Sequence, residues 1–520
     1  MQVGKPLLIA LVLVMSIFSG CTFLRQTHFT LLSYVVDDDQ GFPRIYVQFN
    51  TSDTTVLTLT SPAESVLFSE TYYAGIHNES IYFSGYRTTV PPGIYWLRAA
   101  DSSKQTIFEN EVSFIGDNLT LTSLSVDGWN NKISSPIVTL HLTFKNSGDL
   151  PAYPHRLTVI QGASTEDVLL PPTVVLPSST QHITCFVSLP DPSPEENQLN
   201  ISLYDSTGTV RFQSNQTVMK KTQLDSWEYT WYYSGTHTLK IPQVDWFSDY
   251  YQSLDRFDLI DYAAYVFDPY DDGYIEFLVD QILQLQDVTT DVEKINFVAS
   301  FVQSIEYKND DPQNESYEYP RYPLETLHDK QGDCEDKAIL TAALLQSLGY
   351  NVSLIRLPKH MAVGVYLNET IPSYSYYIDQ YYFLETTTLH MSVGNIPPEY
   401  EGLTNITVYP LTSRSLLAHR WKNATRFTVS SGDDYVRVQM VLENLGTDKT
   451  TSIEVRGAFY DNISRMYNLQ TMTVSPLAAG EKRLVELSVD VPPEISTILK
   501  TQLYINDVMV NERESTSRFP

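Results

Sequence analysis

The residues best suited to chemistry stand in one stretch, Gly332-Asp333-Cys334-Glu335-Asp336-Lys337-Ala338-Ile339-Leu340. Asp333 is a good helix N-cap, and Asp336 three residues on completes a capping-box-like pair. Ala338, Leu345 and Leu348 share one face of the helix so started, and Gly349 can close it in a left-handed turn. Cys334 therefore belongs to the first helical turn. Free backbone N–H groups and the positive end of the helix dipole favour a thiolate there and could stabilise an oxyanion. Glu335 and Asp336 oppose this by repulsion. Adjacent side chains on a helix point apart, which is expected to keep the penalty small. A cysteine so placed still needs a positive partner, and an imidazolium is the usual one.

A partner follows in Lys359-His360-Met361-Ala362-Val363-Gly364-Val365, where His360 opens an apolar strand. A hairpin comes next: Tyr374 to Ile378, a turn at Asp379-Gln380, then Tyr381-Tyr382-Phe383-Leu384-Glu385-Thr386-Thr387. If these strands pair beside the His360 strand, Glu385 can hold the imidazole and its tautomer. Asp379 is the rival carboxylate, at a hairpin tip where water solvates it. His328 and His390 are the rival bases.

Gly-Asp-Cys-Glu-Asp on a helix, His on the following strand and a carboxylate on the next resemble the transglutaminase-like core. Its superfamily shares a papain-like Cys/His/acid arrangement. The resemblance spans about residues 285–390 and includes Tyr319-Pro320-Arg321-Tyr322-Pro323-Leu324-Glu325-Thr326-Leu327 ahead of the cysteine. It implies Cys334 as nucleophile, His360 as base and acid, and Glu385 as third member, where most relatives carry Asp. The activity implied is attack on an amide through a thioester. Resolution by water would make a peptidase or amidase, and resolution by an amine a cross-linker. The alternative is a non-catalytic cell-surface binding or structural protein that keeps the fold as a scaffold. A lone cysteine before a helix is, by itself, more often inert than reactive.

Around this core, residues 223–410 read as one α+β domain. Val292, Ile295, Val298, Val302 and Ile305 recur at helical spacing after the N-cap candidate Thr290, and the segments from Tyr262 to Phe267 and Ile275 to Leu285 also read as helical. Residues 22–116 alternate apolar and polar positions, as in Ile45-Tyr46-Val47-Gln48-Phe49, and read as a β-sandwich. Residues 117–222 and 411–520 form an internal repeat. The runs Val138 to Gly148 and Val436 to Gly446 match in apolar register, and both end in Asn-x-Gly. These two pieces resemble CARDB-like, immunoglobulin-type modules. The repeat places Cys185 opposite Leu487, at an inward position where a thiol packs as a small apolar group. The expected architecture is multidomain: an α+β transglutaminase-like core plus three all-β immunoglobulin-like sandwiches.

Composition bounds the rest. The chain has 520 residues and a net charge of −28, which repels phosphate backbones and excludes a general nucleic-acid binder. Only 3 cysteines leave no disulfide framework. Residues 1–21 read as a lipoprotein-type signal segment: Lys5, an apolar run from Leu7 to Met15, then Phe18-Ser19-Gly20-Cys21, with Cys21 as the lipidated residue. An uncleaved anchor helix is the other reading. Either tethers the chain to the outer face of the cell membrane, where a protein or peptide substrate is expected. N-x-[ST] sequons at Asn50, Asn78, Asn118, Asn200, Asn215, Asn314, Asn351, Asn368, Asn405, Asn423 and Asn462 agree with export. Acidity, sequons and few cysteines together resemble archaeal surface proteins in composition.

No cofactor is expected, and no HExxH, CxxC pair or Walker loop occurs. The stretch Asp268-Pro269-Tyr270-Asp271-Asp272-Gly273 looks like a calcium loop only on its surface, because Tyr270 breaks the ligand pattern, and it reads as a turn. Asp37-Asp38-Asp39-Gln40-Gly41 reads as a strand connection.

Overall fold

The computed structural model describes residues 28–129, 137–189, 196–256, 261–310, 318–368, 370–371, 376–428 and 434–519. The signal segment with Cys21 and the Asn314 sequon lie outside the described residues. The protein is multidomain and mostly β, and it divides into two compact units. The first comprises Met1–Val126, Leu140–Cys185 and Glu196–Met219; the second comprises Asp127–Thr139, Phe186–Glu195 and Lys220–Pro520. No described helix is long and apolar enough to cross a membrane.

In the first unit a three-stranded sheet (Phe29–Asp39, Phe42–Thr51, Gly75–Tyr82) and a four-stranded sheet around Thr55–Thr60 and Gly93–Asp101 share one core. Period-two alternation puts Ile45, Val47 and Phe49 on the inner face, against Leu57, Leu59 and Leu97. Asp37-Asp38-Asp39-Gln40-Gly41 is a strand connection, with Gln40 at φ 57° and Gly41 at φ 89°. Its carboxylates are spoken for: Asp37 and Asp39 hold Arg44 at 2.8 and 2.9 Å. Farther on, Cys185 is 1% exposed, and burial pushes its thiol up to about 12. That is the behaviour of a core residue.

The matched Asn-x-Gly runs each end in a corner of the same kind, one in each unit. Asn146 Oδ1 accepts the Asn118 and Gly148 N–H groups at 3.0 and 2.9 Å, and Asn444 Oδ1 accepts those of Leu416 and Gly446 at 3.1 and 3.2 Å. A Cβ at Gly148 would lie 2.1 Å from the Gly116 carbonyl oxygen, and one at Gly446 would lie 2.2 Å from that of Arg414. Only glycine admits so close a backbone approach.

The second unit contains the helices and the sheet that carries His360. Helices α1 (Asp245–Gln252), α2 (Ala263–Val266), α3 (Asp272–Leu283), α4 (Asp291–Gln303), α5 (Pro323–Asp329) and α6 (Cys334–Ser347) share a core with an antiparallel sheet. The sheet runs in the order Tyr377–Ile378, Tyr381–Leu384, His360–Val365, Val352–Leu357, Thr407–Pro410. Thr290 caps α4: its Oγ1 accepts the Glu293 N–H at 3.2 Å, and Glu293 Oε2 accepts that of Thr290 at 3.1 Å. Asp268 and Asp271 are more than a surface turn, because Asp271 is buried and Asp268 half-buried in the α2–α3 connection, and the Tyr251 hydroxyl donates to Asp268 at 2.6 Å.

The expectation of a one-faced α6 fails. Every residue from Glu335 to Leu345 is buried, so α6 runs through the core rather than along its edge. It ends as expected, with Gly349 at φ +83°. The Gly349 and Tyr350 N–H groups return to the carbonyls of Gln346 and Leu345 at 2.8 and 3.1 Å.

The C-terminal sheets (Leu417–Thr428, Asp434–Asn444, Lys482–Asp490; and Met466–Val474, Ile453–Tyr460, Ile498–Ile505, Val508–Glu514) enclose His419, which is 1% exposed. Its ring is held by Asn511 Oδ1 at 2.6 Å and Thr501 Oγ1 at 2.7 Å. Burial lowers its pKa from 6.5 to about 4. Between those values the unfolded chain binds the extra proton. The stability His419 contributes is therefore complete above about pH 6.5 and is lost as pH falls to about 4, a loss of roughly 3 kcal/mol. Thermal melts from pH 7 to 4 are expected to show a steeper acid loss in the wild type than in His419→Gln; parallel curves would contradict it.

Candidate active site

Three local devices place Cys334. Pro323 at the first position starts α5, and Lys330 at φ 54° ends it in a left-handed turn. Gln331–Gly332 then pairs in parallel with Glu306–Tyr307, which fixes the start of α6 beside the end of α4. Gly332 is required here, since a Cβ would lie 2.7 Å from the Asp336 Cβ. Asp336, 0% exposed, accepts the Asp333 N–H at 3.3 Å, the Arg321 N–H at 2.7 Å and the Arg321 guanidinium at 2.5 Å. It thus caps α6 and fastens the preceding segment to it.

The half-buried Cys334 thiol donates to Glu335 Oε2 at 3.1 Å and lies against the Met361 N–H. The expectation that Glu335 points away is therefore wrong. The core takes up the rest of α6, so Glu335 stays at the helix start beside the sulfur. Burial first, then the Glu335 and Asp333 carboxylates, push the thiol well above its ordinary range; the Met361 N–H only partly offsets them. At rest this is a neutral, hydrogen-bonded thiol.

His360 opens its strand next to Met361 and is 8% exposed. Its Nε2 meets Glu385 Oε2 at 2.9 Å, which leaves Nδ1 for another partner. Glu385, 0% exposed, follows the Tyr381–Leu384 strand, where Val363 pairs with Leu384 and Gly364 with Phe383. Glu385 Oε1 accepts the Thr387 N–H at 2.8 Å and its hydroxyl at 2.6 Å. Burial alone would raise this carboxyl, but the His360 and Thr387 bonds outweigh it and hold the pKa below the ordinary value. An ionised carboxylate therefore faces the imidazole and can balance an imidazolium.

The rival residues stand elsewhere. Asp379 is exposed at the hairpin tip with φ 55°. His328 Nδ1 pairs with Asp329 at 2.9 Å, and His390 is exposed in a loop.

Several neighbours of the site carry no signal in the local sequence. Tyr400, on the 3₁₀ turn Pro398–Tyr400, stacks on the His360 ring with centroids 4.6 Å apart and planes 9° apart. Lys337, 0% exposed, donates to the carbonyls of Gln303 and Ile305 at 3.1 and 2.8 Å, which ties α6 to the end of α4. The Gln303 amide donates to the Glu385 carbonyl at 2.9 Å. Each contact joins residues far apart in the chain, so no local pattern announces it. The Glu385-Thr386-Thr387 spacing was the one local signal, since a carboxylate readily accepts from a hydroxyl residue two positions on.

Carboxylate oxygens of Asp310, Glu318, Asp333 and Glu335 converge within 4.8 Å of one another, immediately beside the thiol. This oxygen-only set could hold a cation, and no metal motif in the sequence pointed to it.

Residues 278–368 match the sequence model of the transglutaminase-like superfamily, and the chain carries a transglutaminase-like domain there. That span contains Cys334 and His360; Glu385 lies beyond its end. A search of the curated proteins returned no match. Among solved structures, the chain is similar to the fibronectin(III)-like modules of CbhA from Clostridium thermocellum (10% identity, 37% of this chain and 94% of that chain, TM-score 0.13). It is also similar to the exo-chitosanase CsxA of Amycolatopsis orientalis (8% identity, 91% and 76%, TM-score 0.15). A β-glucuronidase from glycoside hydrolase family 2 gives 9% identity, 94% and 75%, and a TM-score of 0.17. Scores this low carry no argument about the fold or activity of this chain.

Proposed function

We propose that this protein is an extracytoplasmic, membrane-anchored, cysteine-dependent amide-bond enzyme. The observation that carries the reading is the buried His360–Glu385 pair at 2.9 Å, beside the helix start that presents Cys334. The substrate class is a protein or peptide at the cell surface. A lipid on Cys21 or an N-terminal anchor helix tethers the chain, immunoglobulin-like and CARDB-like sandwiches flank the domain, and exposed sequons such as Asn78 and Asn462 carry glycans.

In the first half-reaction the Cys334 proton passes to His360 as sulfur attacks the carbonyl carbon. A C–S bond forms and the carbonyl electron pair moves onto oxygen, facing the N–H groups of the α6 start. The oxyanion collapses, the C–N bond breaks, and His360 returns the proton to the departing amine. Water or a primary amine then attacks the thioester, giving an acid or a new amide and regenerating the thiol. Profiling the purified ectodomain against a peptide library, with and without an added primary amine, tests this reading: cleavage or amine incorporation supports it, and neither outcome across the library speaks against it.

Glu385→Gln is expected to slow acylation by roughly a hundred- to ten-thousandfold, because the imidazolium loses its counter-charge and its fixed tautomer. A change of that size in kcat with little change in KM is the signature; an unchanged kcat would contradict the role.

One observation favours a second reading. The thiol rests on Glu335 rather than on an imidazole, which suits a dormant centre in a surface binding protein. Thiol titration against pH separates the two: reaction of Cys334 near neutral pH supports the enzyme, and resistance throughout supports the scaffold.

A further inference from the structure

We propose that Tyr400 is a positioning residue for His360: its stacked ring fixes the plane in which the imidazole offers Nδ1 to the sulfur while Nε2 stays on Glu385. This role rests on the reaction proposed above and adds a fourth side chain to it.

His360 needs such a restraint. It is the first residue after the turn at Pro358-Lys359, where Lys359 has φ 60°, and it pairs with Leu357 at the very end of the two strands. Glu385 Oε2 holds one edge of the ring at 2.9 Å. The last torsion of a histidine side chain is broad, so one bond in the ring plane opposes tilting only weakly. Tyr400 supplies the missing direction, because its ring lies flat on the imidazole with centroids 4.6 Å apart and planes 9° apart. That spacing is near the short end of about 4.5–7 Å for aromatic pairs, so a tilted imidazole would strike the tyrosine or lose the contact.

Tyr400 is itself anchored. Pro397 and Pro398 lead into its 3₁₀ turn; the Tyr400 N–H returns to the Pro397 carbonyl at 3.0 Å, and the Tyr400 carbonyl accepts the Leu403 N–H at 3.4 Å. The ring packs against the cluster of Ile355, Leu357, Ala362 and Phe383. Ala362 stands two residues from His360 in one strand, so the cluster lies on the face that His360 shares. Burial first, then charge on Glu385, Glu399 and Cys334, raises the Tyr400 phenol, which keeps the ring neutral. A neutral aromatic face attracts a cation, so the stack favours the imidazolium at the step where His360 carries the Cys334 proton. The contact is made by the ring and not by the hydroxyl.

The test uses the full chain with isotope-labelled histidine, as wild type, Tyr400→Phe and Tyr400→Leu, with the His360 NMR signal identified by its absence from His360→Gln. Leucine keeps apolar volume in the cluster; if its melting curve shows no folded state, Tyr400→Met takes its place. The His360 signal should carry the ring-current displacement of a stacked aromatic in wild type and Tyr400→Phe, and lose it in Tyr400→Leu. Alkylation of Cys334 by iodoacetamide should stay within about twofold of wild type in Tyr400→Phe and slow roughly fivefold or more in Tyr400→Leu. A His360 signal that Tyr400→Leu leaves in place would overturn the proposal. So would a thiol that reacts at the wild-type rate in that variant, or a Tyr400→Phe chain as slow as Tyr400→Leu. A wild-type Cys334 that resists the reagent counts against the proposed reaction itself, and the His360 signal alone then decides whether Tyr400 holds the ring.

Discussion

Cys334→Ala is expected to end covalent capture of an amide substrate, with acyl transfer falling roughly a thousandfold or more. In the proposed reaction the sulfur is the atom that bonds the acyl group, so no neighbour can replace it. Structural cost is small, because Ala keeps helix propensity at a first-turn position and the capping bonds involve Asp333, Asp336 and Arg321. The other cysteines do not confuse the result. Cys185 is 1% exposed in a β core with its thiol pushed up to about 12, and Cys21 is resolved by peptide mapping. The check is peptide-level mass spectrometry after treatment with an iodoacetamide-type probe. The modified peptide containing residue 334 should vanish in the variant; unchanged labelling there would end the nucleophile assignment.

Arg256→Ala should give the largest loss of stability, roughly 3–5 kcal/mol. Arg256 donates to both Glu325 oxygens at 2.8 and 2.6 Å, to the Tyr319 hydroxyl at 2.7 Å, and to the carbonyls of Tyr251, Leu254 and Pro320 at 2.9, 3.0 and 3.0 Å. Its guanidinium also lies 4.2 Å from the Tyr319 ring centroid. Glu325 is 1% exposed, so removing the arginine strands a buried carboxylate rather than a solvated one. The loss should propagate to the site, since Glu325 also accepts the Tyr322 N–H that begins α5, the helix leading into Cys334. Denaturant unfolding measures it. Arg256→Ala/Glu325→Leu should recover much of the loss, because the uncompensated charge is then gone. A single-variant loss under about 1 kcal/mol would place the pair among weak surface bridges.

Local physics made much of the site legible. Thr290 with Glu293, Asp333 with Asp336, and Gly349 are end signals whose partners lie within a few residues, and each behaves as its chemistry requires. The His360 strand and the Asp379-Gln380 turn follow from apolar patterning bounded by turn residues. The Asn-x-Gly corners were legible because one amide side chain and one glycine serve the same bonds in both modules.

What the sequence hid was decided by burial and by distance along the chain. The orientation of Glu335 depends on α6 being enclosed on all sides, and a face count on Ala338, Leu345 and Leu348 cannot reveal that. Tyr400 reaches His360 across a 40-residue separation. Gln303 reaches Glu385 across 82 residues. The four-carboxylate convergence joins acids on both sides of α5, none of them in a spacing that a metal motif would share.

The proposed reaction requires that His360 serve the sulfur of Cys334. The most direct measurement is the rate of Cys334 alkylation by iodoacetamide near neutral pH, site-resolved, in the wild type and in His360→Ala. The wild-type residue should be modified measurably in the folded chain, more slowly than a free thiol because the sulfur rests neutral on Glu335, and loss of the imidazole should slow it at least tenfold further. Equal rates in the two proteins, or a wild-type Cys334 that resists the reagent, would contradict the account.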